Sequence, residues 1–336
     1  MPASEPTNPS RIPIPPKGVY VPSPTFFIPT TSSPDDLQPP VDIDSQIRHT
    51  LFLARAGITG IVLLGSTGEA VHLTRTERAA LVAAIRGALD GAGFRGYPLM
   101  AGVMTNGDLS EVLTELAQYA RAGADWGLVL TPGYFGKAVR QEGIAEWFRI
   151  VADRSPIPIL IYDFPGVTNG MEILPETYRE LARHPKIVGC KMSHGNVSLH
   201  VQVSLDPAID HDKFRVYSGF GNQLGPVVAF GAAGVIDGLA AAYPKTVVRL
   251  MDLMLKDQPT KDEREEIRWL QFAISQGEEL VMPSGVLGIK EACFRVAGFG
   301  NLEGGRLLLK GKLPEGAWEM AQGLFLRELD GVEASL

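Results

Sequence analysis

The sequence predicts an α/β protein: a (β/α)8 barrel, or TIM barrel, followed by a C-terminal helical domain. Three observations carry that expectation. A helix end, a glycine and a short apolar strand recur as one device in Ala-Arg-Ala-Gly-Ile-Thr-Gly-Ile-Val-Leu (54–63), Ala-Arg-Ala-Gly-Ala-Asp-Trp-Gly-Leu-Val (120–129) and Gly-Ala-Ala-Gly-Val-Ile (231–236), the rhythm of repeated βα units. The strands lack polar alternation and each is followed by a helical pattern, which means a parallel sheet covered on its faces. Polar residues stand just past the ends of many strands: Ser66 and Thr67, Tyr134, Tyr162, Lys191, Ser218 and Asp237. An open sheet gathers its site at one switch point, whereas a barrel brings every strand's C-terminal end to a common mouth.

Residues 1–16 carry six prolines and little that could join a core, so they read as a disordered arm. The barrel is expected over 17–243 and the helical domain over 244–336. Gly18 to Phe27 is the first strand, followed by a Pro-rich loop to Pro40. From Asp42, a cap, Ile43, Ile47, Leu51 and Ala54 share a helical face that Gly57 can end. Thr74-Arg-Thr-Glu77 is a capping-box pattern, and Asp108 opens another helix after a strand near Pro98 to Val103. A helix over 141–153, a strand at Ile157 to Tyr162, a helix after Pro175, a strand carrying Lys191 and a strand ending at Tyr217 complete the series.

With 336 residues, 45% of them hydrophobic, the chain can bury one large core or one core plus a smaller appendage. A net charge of -7 without a basic cluster argues against a nucleic-acid partner. No apolar run is long enough to cross a bilayer and no signal-peptide core opens the chain. Two cysteines, Cys190 and Cys293, cannot form a disulfide framework and fit a reducing compartment. The expectation is a soluble, cytoplasmic protein with no membrane partner. The six histidines are scattered, and no pair has metal-ligand spacing.

The candidate chemistry centres on Pro185 to Asn196. Lys191 lies inside a short apolar run bounded by turn residues, which reads as a buried strand. Desolvation there disfavours the ammonium, and a neutral amine is what attack on a carbonyl carbon requires. Period-2 alternation puts Ile187, Gly189, Lys191 and Ser193 on one face, with Gly189 leaving room for a ligand. The alternative is a strand-end lysine that snorkels to water. Tyr162 ends the neighbouring strand, where a phenol beside a Schiff-base lysine can carry protons; the alternative is a tyrosine that caps the core. Gly65-Ser-Thr-Gly-Glu69 offers two hydroxyls and backbone N–H groups at a helix entrance, which suits a carboxylate. It lacks the length and lysine of a P-loop. Gly219-Phe-Gly221 with Gly225 misses the dinucleotide spacing, so no nicotinamide cofactor is expected. His194 could overhang the mouth, a surface loop histidine being the plainer reading.

Gly65-Ser-Thr-Gly-Glu69, Thr131-Pro-Gly-Tyr134, Tyr162-Asp-Phe-Pro165, Ile187-Val-Gly-Cys-Lys191 and Tyr217-Ser-Gly219 come in an order and spacing that resembles the dihydrodipicolinate synthase / N-acetylneuraminate lyase superfamily of class I aldolases, often called the DapA family. The resemblance runs from about Gly18 to Ala297. It implies a barrel with a C-terminal helical domain, a homotetramer built as a dimer of dimers, a Schiff base with pyruvate and no cofactor or metal. Lys191 resembles the Schiff-base lysine, Tyr162 the proton-transfer tyrosine and Ser66 the relay hydroxyl. Ser66 and Thr67 resemble the carboxylate-binding pair, and Tyr134 the tyrosine lent across the dimer interface.

The departures matter. Val167 stands where dihydrodipicolinate synthases hold a carboxylate with arginine, and Phe220 stands where they have acidic residues. Asp163 replaces the common asparagine. The wording Gly-Ser-x-Gly-Glu-Ala, Phe-Pro-x-Val-Thr and Lys-x-Ser-x-Gly-Asn-Val is most similar to fungal 2-keto-3-deoxy sugar-acid aldolases of the L-threo-3-deoxy-hexulosonate type. The resemblance therefore implies a carbon–carbon lyase that interconverts a 2-keto-3-deoxy acid with pyruvate and an aldehyde. Val167, His194, Gly219, Phe220, Ile236 and Asp237 are expected to contact substrate. A dihydrodipicolinate synthase-like condensation, a dehydratase or hydratase-aldolase on the same barrel, and a non-catalytic paralogue that binds a 2-oxo acid are the competing readings.

Overall fold

A computed structural model describes residues 12–29, 37–104 and 107–336. The strands are β1 (Gly18–Pro22), β2 (Gly60–Leu63), β3 (Leu99–Val103), β4 (Trp126–Leu130), β5 (Ile159–Asp163), β6 (Ile187–Met192), β7 (Arg215–Ser218) and β8 (Gly234–Ile236). Each pairs in parallel with the next, and β8 closes on β1, so the expected eight-stranded barrel is present. Ile61, Val62, Leu128, Val129, Ile159, Leu160 and Ile161 are fully buried, as strands packed on both faces must be.

The helices between them are α1 (Ile43–Arg55), α2 (Arg75–Gly91), α3 (Leu109–Ala122), α4 (Gln141–Arg154), α5 (Pro175–Leu181), α6 (Val197–Ser204) and α7 (Leu224–Ala229). Local sequence sets their ends. The Asp42 carboxylate accepts from Ser45 N at 2.9 Å, Asp108 accepts from Glu111 N at 2.8 Å, and Thr74 and Glu77 form a reciprocal capping box, each satisfying an N–H that the helix leaves free. Gly123 ends α3 at φ +99, a left-handed turn that a Cβ would strain.

After β8 come α8 (Pro244–Met254), the long α9 (Lys261–Arg295), α10 (Ala317–Ala321) and α11 (Arg327–Ser335). The expected division at residue 243 falls just before α8, which packs back against β1 as the barrel's eighth helix. Inside α9, Pro283 lacks an N–H and Gly285 turns to φ 54, ψ -131, so the helix is broken there, the effect of proline and glycine in a helical run.

Two expectations about the N-terminal region change. The first strand stops at Pro22, not Phe27: Ser23 N still donates to Val62 O of β2 at 3.0 Å, but Pro22 and Pro24 have no N–H to offer on the β8 side. The expected disordered arm, 1–16, lies outside the described residues as far as residue 11, but residues 12–16 are bound to the barrel's floor. Tyr20 and Tyr217, edge to face at 5.4 Å, both donate their hydroxyls to Pro16 O, at 3.1 and 2.7 Å, and Trp126 Nε1 donates to Pro13 O at 2.8 Å. These donors would otherwise be stranded at the closed end of an apolar barrel. Part of the expected Pro-rich loop, residues 30–36, is also outside the described residues.

Candidate active site

The β5–β6 pairing contains an irregularity: Ile159 faces Ile187, but Leu160 faces Gly189, so Val188 is an extra residue. Such a bulge re-aims the residues that follow it. Tyr162 then lies directly across from Lys191, and Tyr217 flanks Lys191 on its other side. Gly189 does not make room for a ligand, as its place in the alternation suggested. A Cβ there would sit 2.3 Å from Arg215 O, so its absence lets β7 close on β6.

Lys191 is only 5% exposed, and its Nζ stands 4.6 Å from the centroid of the Tyr162 ring. The Tyr162 hydroxyl is 3.4 Å from Ser66 Oγ. Its backbone is pinned by Thr131, whose N–H and hydroxyl donate to Tyr162 O at 3.0 and 2.9 Å, and its ring stacks on Phe164 at 5.9 Å. An amine and a phenol at neighbouring strand ends, with a hydroxyl beyond, form a chain along which protons can move.

The hydroxyl-bearing loop is held from both sides. Leu64 (φ 61) and Glu69 (φ 51) bracket it in the left-handed region, a strain of about 1–3 kcal/mol each that clusters at functional loops. Thr25 Oγ1 donates to Gly68 O at 2.6 Å. The buried Glu69 carboxylate accepts from Lys290 Nζ of α9 at 2.7 Å and from His72 Nδ1 at 3.0 Å. Gly102 on β3 leaves space for the loop to cross, since a Cβ there would lie 2.3 Å from Leu64 O. The loop runs into one short turn, Ala70–His72, and α2 begins only at Arg75. The helix entrance expected at Ser66 is therefore displaced by several residues.

A cavity of about 570 Å³ opens at this mouth, the size of small-molecule sites. Of the expected residues, Lys191, Tyr162, Ser66, Thr67, Val167, Gly219, Phe220 and Asp237 line it. Three do not. Ile236 is fully buried in the barrel core, because it precedes by one residue the position that turns inward. Tyr134 is 68% exposed on the loop after β4, where Asn169 Nδ2 donates to its carbonyl at 3.1 Å. His194 turns to the side of α6: Asn196 N donates to its Nδ1 at 2.9 Å and its ring lies 5.1 Å from that of His200. Burial pushes both imidazoles down to about 4.

Sequence reasoning missed the wall that α9 supplies. Glu278, Val281, Met282, Gly285, Val286 and Ile289 line the cavity, and the signal was Pro283 followed by Gly285 inside a helical pattern. Glu278 meets Asp237 over one backbone N–H: Gly221 N donates to Glu278 Oε1 at 2.8 Å and to Asp237 Oδ1 at 3.2 Å. Below the site, burial pushes the Asp163 carboxyl up to about 7 although Tyr178 Oη donates to it at 2.9 Å. Among the described residues no three His, Cys, Asp or Glu side chains converge to hold a metal ion, and no helix is long and apolar enough to cross a membrane.

Residues 27–296 match the model of the dihydrodipicolinate synthetase family. The chain is 34% identical over 291 residues to the L-threo-3-deoxy-hexylosonate aldolase of Hypocrea jecorina, covering 85% of this chain and 88% of that one. It is 33% identical over 284 residues to a protein of Emericella nidulans named a probable mitochondrial 4-hydroxy-2-oxoglutarate aldolase, covering 84% and 86%. A dihydrodipicolinate synthase family protein of Coccidioides immitis has a similar solved structure, with a TM-score of 0.76 and 27% identity over 96% of this chain and 98% of that one.

Proposed function

This chain belongs to the dihydrodipicolinate synthetase family, and within it we propose that it is a class I aldolase, a carbon–carbon lyase that cleaves or forms a 2-keto-3-deoxy sugar acid. The reading rests above all on one observation: the Lys191 amine, nearly sealed from water, stands 4.6 Å over the Tyr162 ring in a cavity large enough for such an acid. The named activities of the Hypocrea and Emericella relatives support the same class.

In this mechanism Lys191 Nζ attacks the C2 carbonyl carbon of the keto acid, and the carbinolamine loses water to give a protonated imine. The imine draws electrons as the C4 hydroxyl gives up its proton and the C3–C4 bond breaks, which releases an aldehyde and leaves an enamine. A proton returns to C3, and water restores the amine and frees pyruvate. Tyr162 and Ser66 carry the protons, while Ser66 and Thr67 hold the carboxylate of the acid. Tyr134 completes the relay from a second copy in a homotetramer, which its exposure permits. A cytoplasmic location belongs to the same proposal, with the compartment in the Emericella relative's name as the alternative.

Incubation with pyruvate and borohydride, followed by peptide mass spectrometry, tests it. The expected result is one reduced adduct on Lys191, abolished in a folded Lys191→Ala variant. Adducts elsewhere, with Lys191 unlabelled, reject the mechanism.

A further inference from the structure

The bond-breaking steps give work to the polar groups around Lys191 and none to Asp237, expected only as a substrate contact of unstated role, or to Glu278. Asp237, which follows β8, stands two strands round the barrel from Lys191, and Glu278 comes from α9; both line the cavity and both are almost fully buried. Asp237 accepts from three backbone N–H groups, those of Gly221 at 3.2 Å, Leu239 at 3.3 Å and Ala240 at 3.0 Å. Glu278 accepts from that of Gly221 alone. Burial raises the proton affinity of both, and that of Glu278 furthest because it also faces the Asp237 charge. Two carboxyl groups so close in a dry site hold one proton between them. The three donors place the charge on Asp237 and leave the proton to Glu278.

Anchoring α9 does not call for this pair. Gln271 already joins the helix to the same turn: its Oε1 accepts from Gly225 N at 2.7 Å, and its Nε2 donates to Gly221 O and Asn222 O at 3.3 and 3.2 Å. Burying a carboxylate beside a second carboxyl group for structure alone costs stability compared with neutral residues of the same shape. The rest of the cavity wall explains what else the pair can do. Lys191 is the single cationic side chain among the described residues that line it, and Val71, Met104, Val167, Phe220, Met282 and Val286 make much of the remainder apolar.

We propose that the Asp237–Glu278 pair is the specificity device of the aldolase, gripping a hydroxyl group on the aldehyde half of the substrate. A hydroxyl gives its proton to Asp237 and accepts from Glu278, matching both members at once. An alkyl aldehyde offers the pair no hydrogen bond, and an aldehyde bearing a carboxylate meets like charge where Lys191 is the single cation among the described residues that line the cavity. The proposal rests on the aldolase reading, and the pair touches a bound group without entering the bond-breaking steps.

The test uses full-length enzyme, pyruvate, and glyceraldehyde, propanal or glyoxylate as acceptor. The parent is expected to favour glyceraldehyde over propanal by about 100-fold or more in kcat/KM, as sites built around a substrate hydroxyl do, and to use glyoxylate poorly. Glu278→Gln and Asp237→Asn, which keep shape, should each cut that preference by at least about 10-fold. The change should come through KM for glyceraldehyde, with borohydride trapping of pyruvate on Lys191 unchanged. Variants that slow both aldehydes equally, or a parent that condenses glyoxylate as well as glyceraldehyde, would overturn the proposal. If Asp237→Asn does not fold, Glu278→Gln and the parent's acceptor panel decide. Failure of the parent to trap pyruvate on Lys191, a step that uses no aldehyde, overturns the aldolase reading itself and this assignment with it.

Discussion

Replacing Lys290 by methionine tests how the hydroxyl loop is held. Lys290 is mostly buried; its Nζ donates to Glu69 Oε1 at 2.7 Å and lies 4.7 Å from the Phe27 ring centroid. The Glu69 side chain has no exposed surface, so the variant leaves a carboxylate in the interior with only the His72 Nδ1 contact, 3.0 Å away, in place of the ammonium. Breaking a buried pair by removing one member costs about 3–5 kcal/mol. The residual His72 contact and the slight exposure of Lys290 argue for the lower end, about 3 kcal/mol, a large share of the ~5–15 kcal/mol that keeps a protein folded. Urea titrations of the parent, Lys290→Met, Glu69→Gln and the double variant measure it. The double variant should recover about 2 kcal/mol relative to the sum of the single losses, since the two groups act as one unit. Because Glu69 ends the loop that carries Ser66 and Thr67, KM for the keto acid should also rise in Lys290→Met. A loss under about 1 kcal/mol with coupling under about 0.5 kcal/mol would show that the pair supports nothing.

Tyr162→Phe removes the hydroxyl that faces Ser66 and should lower kcat by about 10²–10⁴ with the denaturation midpoint preserved; near-parental turnover would remove Tyr162 from the relay. Burial lifts Asp163 to about 7, above its unfolded value of about 3.9, so its stabilising contribution is complete at low pH and lost as pH rises through about 7. Between about pH 5.5 and 8 the loss is about 2 kcal/mol, and Asp163→Asn should flatten that slope in urea titrations. His49, His194 and His200 work in the opposite sense: burial holds them at about 4, against about 6.5 unfolded, so their contribution is present above about pH 6.5 and lost as pH falls through 4. In the Asp163→Asn background, stability should fall by about 1–2 kcal/mol per histidine between about pH 7 and 5; a flat profile would contradict their burial as neutral rings. Gly189→Ala puts a methyl against Arg215 O and should cost more than about 3 kcal/mol, together with pyruvate trapping at Lys191.

Much of this arrangement was legible in the sequence because its causes are local. The Thr74–Glu77 box, the Asp108 cap and the glycine at 123 mark boundaries within a few residues of where they act. Lys191 and Tyr162 stood out because each interrupts an apolar strand at its C-terminal end, and consecutive strands of a barrel are neighbours. What stayed hidden depends on contacts distant in the chain. Glu278 lies 57 residues beyond the Gly221 amide that it shares with Asp237, and nothing in its surroundings distinguishes it from the other acids of α9. The bulge at Val188 shifts the alternation from which the role of Gly189 was read. The prolines of 12–16 look like linker composition, yet their carbonyls answer the buried hydroxyls of Tyr20 and Tyr217.

The break in α9 at Gly285 separates two tasks along a single element. Upstream, Glu278 and Met282 border the space where the aldehyde would sit; downstream, Lys290 steadies the loop that would seat the acid. A designer who wants a roomier or tighter enzyme can thus work on the approach to that hinge, resizing the chamber for new acceptors while the ring of strands and its amine keep their geometry.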